Sequence, residues 1–184
     1  EGCDAVVHAG IGTSWKRSER VSTNVQGTKR LIDAAVDAGV RRFVHCSTIA
    51  LYGDAVTGTI TEDTPARPKK GWDYAESKLA AEDIVRHAGA RGLEVVILRI
   101  AVVYGPFNMT VTVRPLEALA DGRLVLVECA DVPSNTIYVD NLCGGIQGAL
   151  EAPSSVSGET FLLSDDDGCT WGDYFGFFAD HLGR

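Results

Sequence analysis

The sequence predicts an α/β fold: part of a doubly wound, largely parallel sheet, with a small C-terminal lobe. Three observations point there. Short apolar runs alternate with segments of helical periodicity along most of the chain. The run at residues 93–101 is rich in β-branched residues and carries only Glu94 and Arg99 as charges, as a strand buried on both faces requires. Ala9-Gly10, Ser47-Thr48 and Ala101-Val102 all fall at the carboxyl ends of predicted strands, the rim where such sheets bind ligands.

Taken in order, Asp4-Ala5-Val6-Val7-His8-Ala9 reads as a short buried strand, followed by Gly10, Gly12 and polar residues to Ser22. Val21, Val25, Leu31, Ile32, Ala35 and Val36 recur at helical spacing, which predicts a helix over 21–38 with Gly39 just past its end. Residues 41–47 are the next strand. A loop beginning at Tyr52-Gly53-Asp54 runs through Pro65 and Pro68 to a helix that starts near Tyr74 and reaches about Ala90. After the 93–101 strand, Tyr104-Gly105-Pro106 turns the chain outward. A helix over 114–120, strands over 124–127 and 136–139, and a helix capped by Asp140 and running to about Glu151 follow. Residues 160–163 form a last strand, Asp165-Asp166-Asp167-Gly168 a turn, and 171–182 an aromatic helix whose Trp171, Tyr174, Phe175, Phe177 and Phe178 make its packing face and a possible dimer contact.

Composition narrows the function. A formal net charge of −8, with acidic residues spread along the chain, argues against nucleic acid or an anionic membrane as a partner. The longest apolar run is short and broken by Arg99, and the N-terminus is not signal-like, so a cytoplasmic protein is expected. The five cysteines are scattered, which suits free thiols in a reducing compartment better than disulfides or a zinc site. The Asp165 turn has no companions at ligand spacing, so no metal is expected. His8 and His45 lie in predicted strands and read as structural, and Cys46 as a small buried residue.

The stretch Gly71-Trp72-Asp73-Tyr74-Ala75-Glu76-Ser77-Lys78 carries the chemistry. Tyr74 and Lys78 are four apart among good helix formers, so they share a helix face. A cation beside a phenol favours the phenolate, so the pair suits proton exchange with a hydroxyl or carbonyl near neutral pH. The spacing alone also fits a solvated helix surface. The convergence of four stretches on one rim decides for chemistry.

In sequence order the chain resembles the short-chain dehydrogenase/reductase superfamily, in its extended NAD-dependent epimerase/dehydratase branch. The resemblance rests on Asp4–Gly10, Asn24-Val25-Gln26-Gly27-Thr28, Phe43-Val44-His45-Cys46-Ser47-Thr48, Leu51-Tyr52-Gly53, Tyr74-Ala75-Glu76-Ser77-Lys78, Leu98-Arg99, Tyr104-Gly105-Pro106 and Tyr138-Val139-Asp140-Asn141. It implies a Rossmann-like sheet, NAD or NADP as cofactor, Tyr74 as acid/base, Lys78 tuning it and holding the nicotinamide ribose, and Thr48 as the hydroxyl on the reacting oxygen. Ser47 is the alternative one residue earlier and, with Ala9, Gly10, Asn24, Tyr74, Lys78 and Ala101, belongs to the implied cofactor-binding set. The implied division is residues 1–105 as the later part of the dinucleotide domain and 106–184 as a substrate lobe with interleaved sheet elements.

The departures matter as much. No Gly-x-x-Gly-x-x-Gly turn follows a first strand; Gly144-Gly145-x-x-Gly148 lies inside a predicted helix and reads as close packing. The chain therefore reads as the later part of a longer protein, with weak dinucleotide binding and an unpaired sheet edge expected of it alone. Ile49-Ala50 stand where family dehydratases carry an acidic pair. Val102 and Ser134 stand where nucleotide-sugar enzymes commonly have Asn and Arg, although Arg114 or Arg123 could meet a diphosphate. These departures favour an oxidoreductase acting on a less charged alcohol or ketone, with a nucleotide-sugar epimerase and a non-catalytic interaction or sensing module as rivals.

Overall fold

The computed structural model describes residues 2–14, 16–53, 58–123, 130–165 and 168–183. The chain forms two compact units, Glu1–Ile100 with Gly145–Leu162, and Ala101–Gly144 with Leu163–Arg184.

The first unit is built on a four-stranded sheet in the order β1-β2-β3-β6, with β1 at Ala5–His8, β2 at Arg42–Thr48, β3 at Glu94–Ile100 and β6 at Thr160–Leu163. β1 pairs parallel with β2, and β2 with β3, in a register that sets His8 beside His45 and Thr48 beside Ile100. Every residue of β2 is buried, which is the burial an inner parallel strand demands. Helices α1 (Arg17–Asp37) and α2 (Asp73–Ala88) supply Ile32, Ala35, Val85 and Ala88 to a core completed by Phe43, Val95 and Ile97. α1 begins at Arg17, four residues before the apolar periodicity does, because its first turn is polar and exposed: Lys16 and Glu19 pair there at 3.0 Å. Gly39, at φ +69°, ends it in the left-handed turn that glycine adopts freely. Gly53 is a tighter case, at φ +71°, where an added Cβ would lie 2.8 Å from the Arg67 carbonyl oxygen.

Arg42 is fully buried at the start of β2. Its guanidinium pairs with Glu94 at 2.6 Å and donates to the Ala149 and Leu150 carbonyls at 3.0 and 3.1 Å. Those carbonyls belong to the last turn of α4 (Val139–Glu151), where a cation complements the helix dipole.

In the second unit β4 (Val102–Tyr104) pairs parallel with β5 (Thr136–Tyr138). Between them lie a π-turn at Met109–Val113 and α3 (Arg114–Ala120); α4 starts in this unit, and α5 (Trp171–Leu182) closes the chain. Four expectations change here. The strand expected over 93–101 ends at Ile100, and Val102 begins a separate strand. Asp140 sits inside the first turn of α4, since β5 ends one residue earlier than expected. Gly144 and Gly148 meet nothing where a Cβ would be, so the close-packing explanation for the glycine run fails at both. Phe177 is 70% exposed; the packed aromatic stripe is Trp171, Tyr174, Phe175 and Phe178, at helical spacing. Asp165 accepts from the Tyr138 amide and the Asn141 side chain, both at 2.8 Å. The expected strand over 124–127, Asp54, Asp166 and Asp167 lie outside the described residues.

Candidate active site

The carboxyl end of β2 and the first turns of α2 bring the chemistry-bearing residues together. Thr48 is the last residue of the strand; its Oγ1 accepts from the Ala50 amide at 3.1 Å, and its hydroxyl acts on the Tyr74 phenol, lowering the phenol's pKa. Lys78, one turn along α2, is 5% exposed and donates from Nζ to the Cys46 carbonyl at 2.9 Å. Ser77 donates back to the Tyr74 carbonyl at 2.9 Å, which stiffens the turn that carries the phenol.

Burial sets the resting charge states. Tyr74 is raised above the ordinary phenol range by desolvation, which Thr48 partly offsets. The lowering of the phenol by Lys78 that the spacing suggested is not what acts here, because the ammonium is directed at the Cys46 carbonyl. Lys78 itself is lowered by desolvation, against the attraction of Cys46 and Glu82. Burial also raises the Cys46 thiol, with Lys78 opposing, so the thiol is unreactive as expected.

Ser47 points elsewhere. Its hydroxyl donates to Glu82 Oε1 at 2.6 Å. The Glu82 carboxylate, fully buried, also accepts from Arg99 Nε at 3.1 Å, from a terminal Arg99 nitrogen at 2.9 Å and from Arg86 at 3.0 Å. Desolvation works against this carboxylate, but the bonds from Arg99 and Ser47 outweigh it and hold the carboxyl below its usual range. Burial likewise works against the Arg99 charge, and Glu82 more than restores it. Arg99 also donates to the Tyr52 hydroxyl at 2.9 Å. Sequence reasoning missed this cluster. The only trace of it in the sequence is that Glu82 continues the four-residue spacing of Tyr74 and Lys78.

Asn24 is buried, and its amide is occupied within the chain: Oδ1 accepts from the Gly12 amide at 2.7 Å and Nδ2 donates to Ser77 at 2.9 Å. It thereby ties the segment after β1 to α2. Ala9 and Gly10 are exposed immediately past β1. Ala101 follows β3 and is buried, its amide donating to the Leu163 carbonyl at 2.9 Å. His8 and His45 meet across β1 and β2 through their Nδ1 atoms at 3.1 Å. Burial, with the nearby Lys78 charge, holds His45 neutral down to about 3. No cluster of three or more metal-ligating side chains occurs among the described residues, and no described helix is long and apolar enough to cross a membrane.

Comparisons with known proteins show the family and the fold. The model of the NAD dependent epimerase/dehydratase family matches residues 1–164. A 4-hydroxy-2-methyl-3-oxo-4-farnesyl-3,4-dihydroquinoline-1-oxide ketoreductase of Stigmatella aurantiaca is 29% identical over 89% of this chain and 49% of its own length. A dTDP-glucose 4,6-dehydratase of Streptomyces griseus is 37% identical over 67% of this chain and 40% of its own length. The crystal structure of the Bordetella bronchiseptica enzyme WbmG, in complex with NAD and UDP, superposes with a TM-score of 0.82 at 26% identity, over 98% of this chain and 56% of that one. The chain thus spans about half the length of the relatives it matches.

Proposed function

The chain belongs to the NAD dependent epimerase/dehydratase family, and on that basis we propose that it carries the catalytic residues of an NAD-dependent oxidoreductase acting at a sugar carbinol or keto carbon. The observation that carries this reading is the buried ammonium of Lys78, held on the β2 carbonyl of Cys46 one helical turn from Tyr74, with Thr48 at the end of the same strand acting on the phenol.

The residues present fit a nicotinamide cofactor. Lys78 has three N–H bonds to donate, and a bond to Cys46 uses one, so the ammonium has capacity for ribose hydroxyls. Ala9 and Gly10 offer exposed backbone at the end of β1. Asn24 holds the turn at Gly12 in place and acts through it. When bound, the cofactor supplies a hydride acceptor and donor. Thr48 then orients the substrate oxygen, and Tyr74 takes its proton on oxidation and returns it on reduction. A substrate oxygen bonded to the phenol and an ammonium freed toward the site both favour the phenolate, reversing the resting bias set by burial.

Substrate class follows the neighbours: WbmG is seen with UDP, and the dehydratase is named for dTDP-glucose. The preference for a less charged alcohol rested on Val102 and Ser134. Both belong to the framework of the second unit: Val102 in the β4–β5 ladder, and Ser134, 3% exposed, bonded to Thr136 and the Cys169 carbonyl. They therefore carry little weight on substrate. Dehydration is not proposed, because Ile49 and Ala50 offer no acid or base.

The test is turnover of the intact gene product with NAD and a panel of UDP- and dTDP-sugars, scored for oxidised or isomerised sugar. Tyr74→Phe is expected to lower turnover by roughly 10²–10⁴-fold while leaving dinucleotide affinity in place. Unchanged turnover in that variant would exclude the mechanism.

A further inference from the structure

We propose that Glu82 is a positioning residue for the reaction at Tyr74: bonded to Ser47 and anchored by Arg99, it pins α2 in register on β2 and so keeps the phenol against Thr48. The inference rests on the reading of Tyr74 as the acid/base.

Three consecutive residues of β2 face three residues of α2 that are one turn apart, and two of the three are tied by hydrogen bonds. Cys46 takes Lys78 through its carbonyl and Ser47 takes Glu82, while Thr48 acts on the Tyr74 phenol and lowers its pKa. The three contacts differ in stiffness. Lys78 reaches a backbone oxygen through a flexible four-carbon stem. Tyr74 stands in the first turn of a helix whose N-terminus has no side-chain cap. Glu82 is the rigid member. It is fully buried, and its carboxylate accepts four hydrogen bonds, about the full lone-pair capacity of the group. Two of them come from Arg99 on β3, so the pin spans helix and two strands.

The helix transmits the constraint. Eight residues at 1.5 Å each place Tyr74 about 12 Å along the axis from Glu82. A small slide or rotation released at Glu82 is carried to the phenol, and misplacement by about 1 Å at a reacting group can cost about 10²-fold in rate. Loosening the Thr48 contact has a second consequence. That contact lowers the phenol's pKa, so weakening it moves the titration of Tyr74 upward.

Ser47→Ala is the sharpest test, because it removes one hydroxyl and leaves the Glu82–Arg99 pair to hold the fold. Glu82→Gln, which keeps an acceptor for Ser47 but loses the charge on Arg99, is the companion variant. In the intact gene product Ser47→Ala is expected to lower kcat about 10-fold with substrate KM and dinucleotide affinity within about 2-fold. The acid limb of its pH–rate profile should move to higher pH. In the resting protein the Tyr74 ring carbon bearing the hydroxyl, followed by NMR, should titrate later than in the parent. A Ser47→Ala enzyme that loses stability but keeps the parent kcat, pH limb and Tyr74 titration would make Glu82 a purely structural residue and overturn the proposal. Tyr74→Phe run alongside separates the two readings. If it is fully active, the assignment of Tyr74 fails; if it is inactive while Ser47→Ala matches the parent, only the pin fails.

Discussion

Replacing Arg99 by methionine isolates the energetics of the buried cluster. The guanidinium stem is largely matched in volume, so the main loss is its charge and its bonds. Glu82 would keep Ser47 at 2.6 Å and Arg86 at 3.0 Å but lose both Arg99 contacts, at 3.1 and 2.9 Å, and Tyr52 would lose the donor at 2.9 Å. Breaking one partner of a buried pair typically costs about 3–5 kcal/mol, because the other charge is stranded. Arg86 remains as a partly exposed partner, which places Arg99→Met at the lower end, about 3 kcal/mol. That is a large share of the ~5–15 kcal/mol of an ordinary domain. Urea unfolding followed by circular dichroism, with the slope held constant, reads the loss directly. The double variant Arg99→Met/Glu82→Leu should recover part of it, since no fully buried charge is then stranded and Arg86, partly exposed, reaches water. A single-variant loss below about 1 kcal/mol, the range of an exposed pair, would show that the cluster is solvated and would refute the reasoning.

Three further outcomes follow from the geometry. His45 is depressed from 6.5 to about 3 in the folded chain, so between those values the unfolded chain binds a proton that the folded one does not. Stability is therefore lost as pH falls below 6.5, by about 2 kcal/mol at pH 5; His45→Phe should flatten this slope, and parallel urea midpoints for the two proteins would contradict it. Thr48→Val should raise the Tyr74 pKa further, shift the acid limb of the rate profile upward and lower kcat about 10-fold; a profile superimposable on the parent's would show that Thr48 does not act on the phenol. Gly53→Ala forces a side chain into φ +71° and to within 2.8 Å of the Arg67 carbonyl, at a cost of about 1–3 kcal/mol; thermal unfolding with no change in midpoint would mean the turn relaxes freely.

Local periodicity made much of this legible. Tyr74 and Lys78 share a face because the helix repeat says so, and α5 was readable to its ends from its aromatic spacing. Ser47 is not free to meet the phenol, because its hydroxyl is taken by Glu82, two turns beyond Tyr74 on α2. What periodicity does not encode is which partner a buried charge finds. Glu82 and Arg99 are 17 residues apart and Arg42 is 107 from Ala149, and nothing local selects those guanidiniums from 17 cationic residues. The polar first turn of α1 was invisible for a related reason: a solvated turn has no apolar stripe to announce it. Spacing gives proximity along a helix, but not that the Lys78 ammonium is bonded to the Cys46 carbonyl.

The buried guanidinium of Arg42 has a consequence for synthesis. Its carbonyl acceptors arrive more than a hundred residues after it does. On a ribosome adding about 5–20 residues per second, β2 emerges several seconds before the turn that satisfies its first residue. During that interval Glu94, once β3 has emerged, is the protein partner of the guanidinium, and water serves its remaining donor. The end of α4 then adds the two carbonyls that complete the guanidinium's set of acceptors.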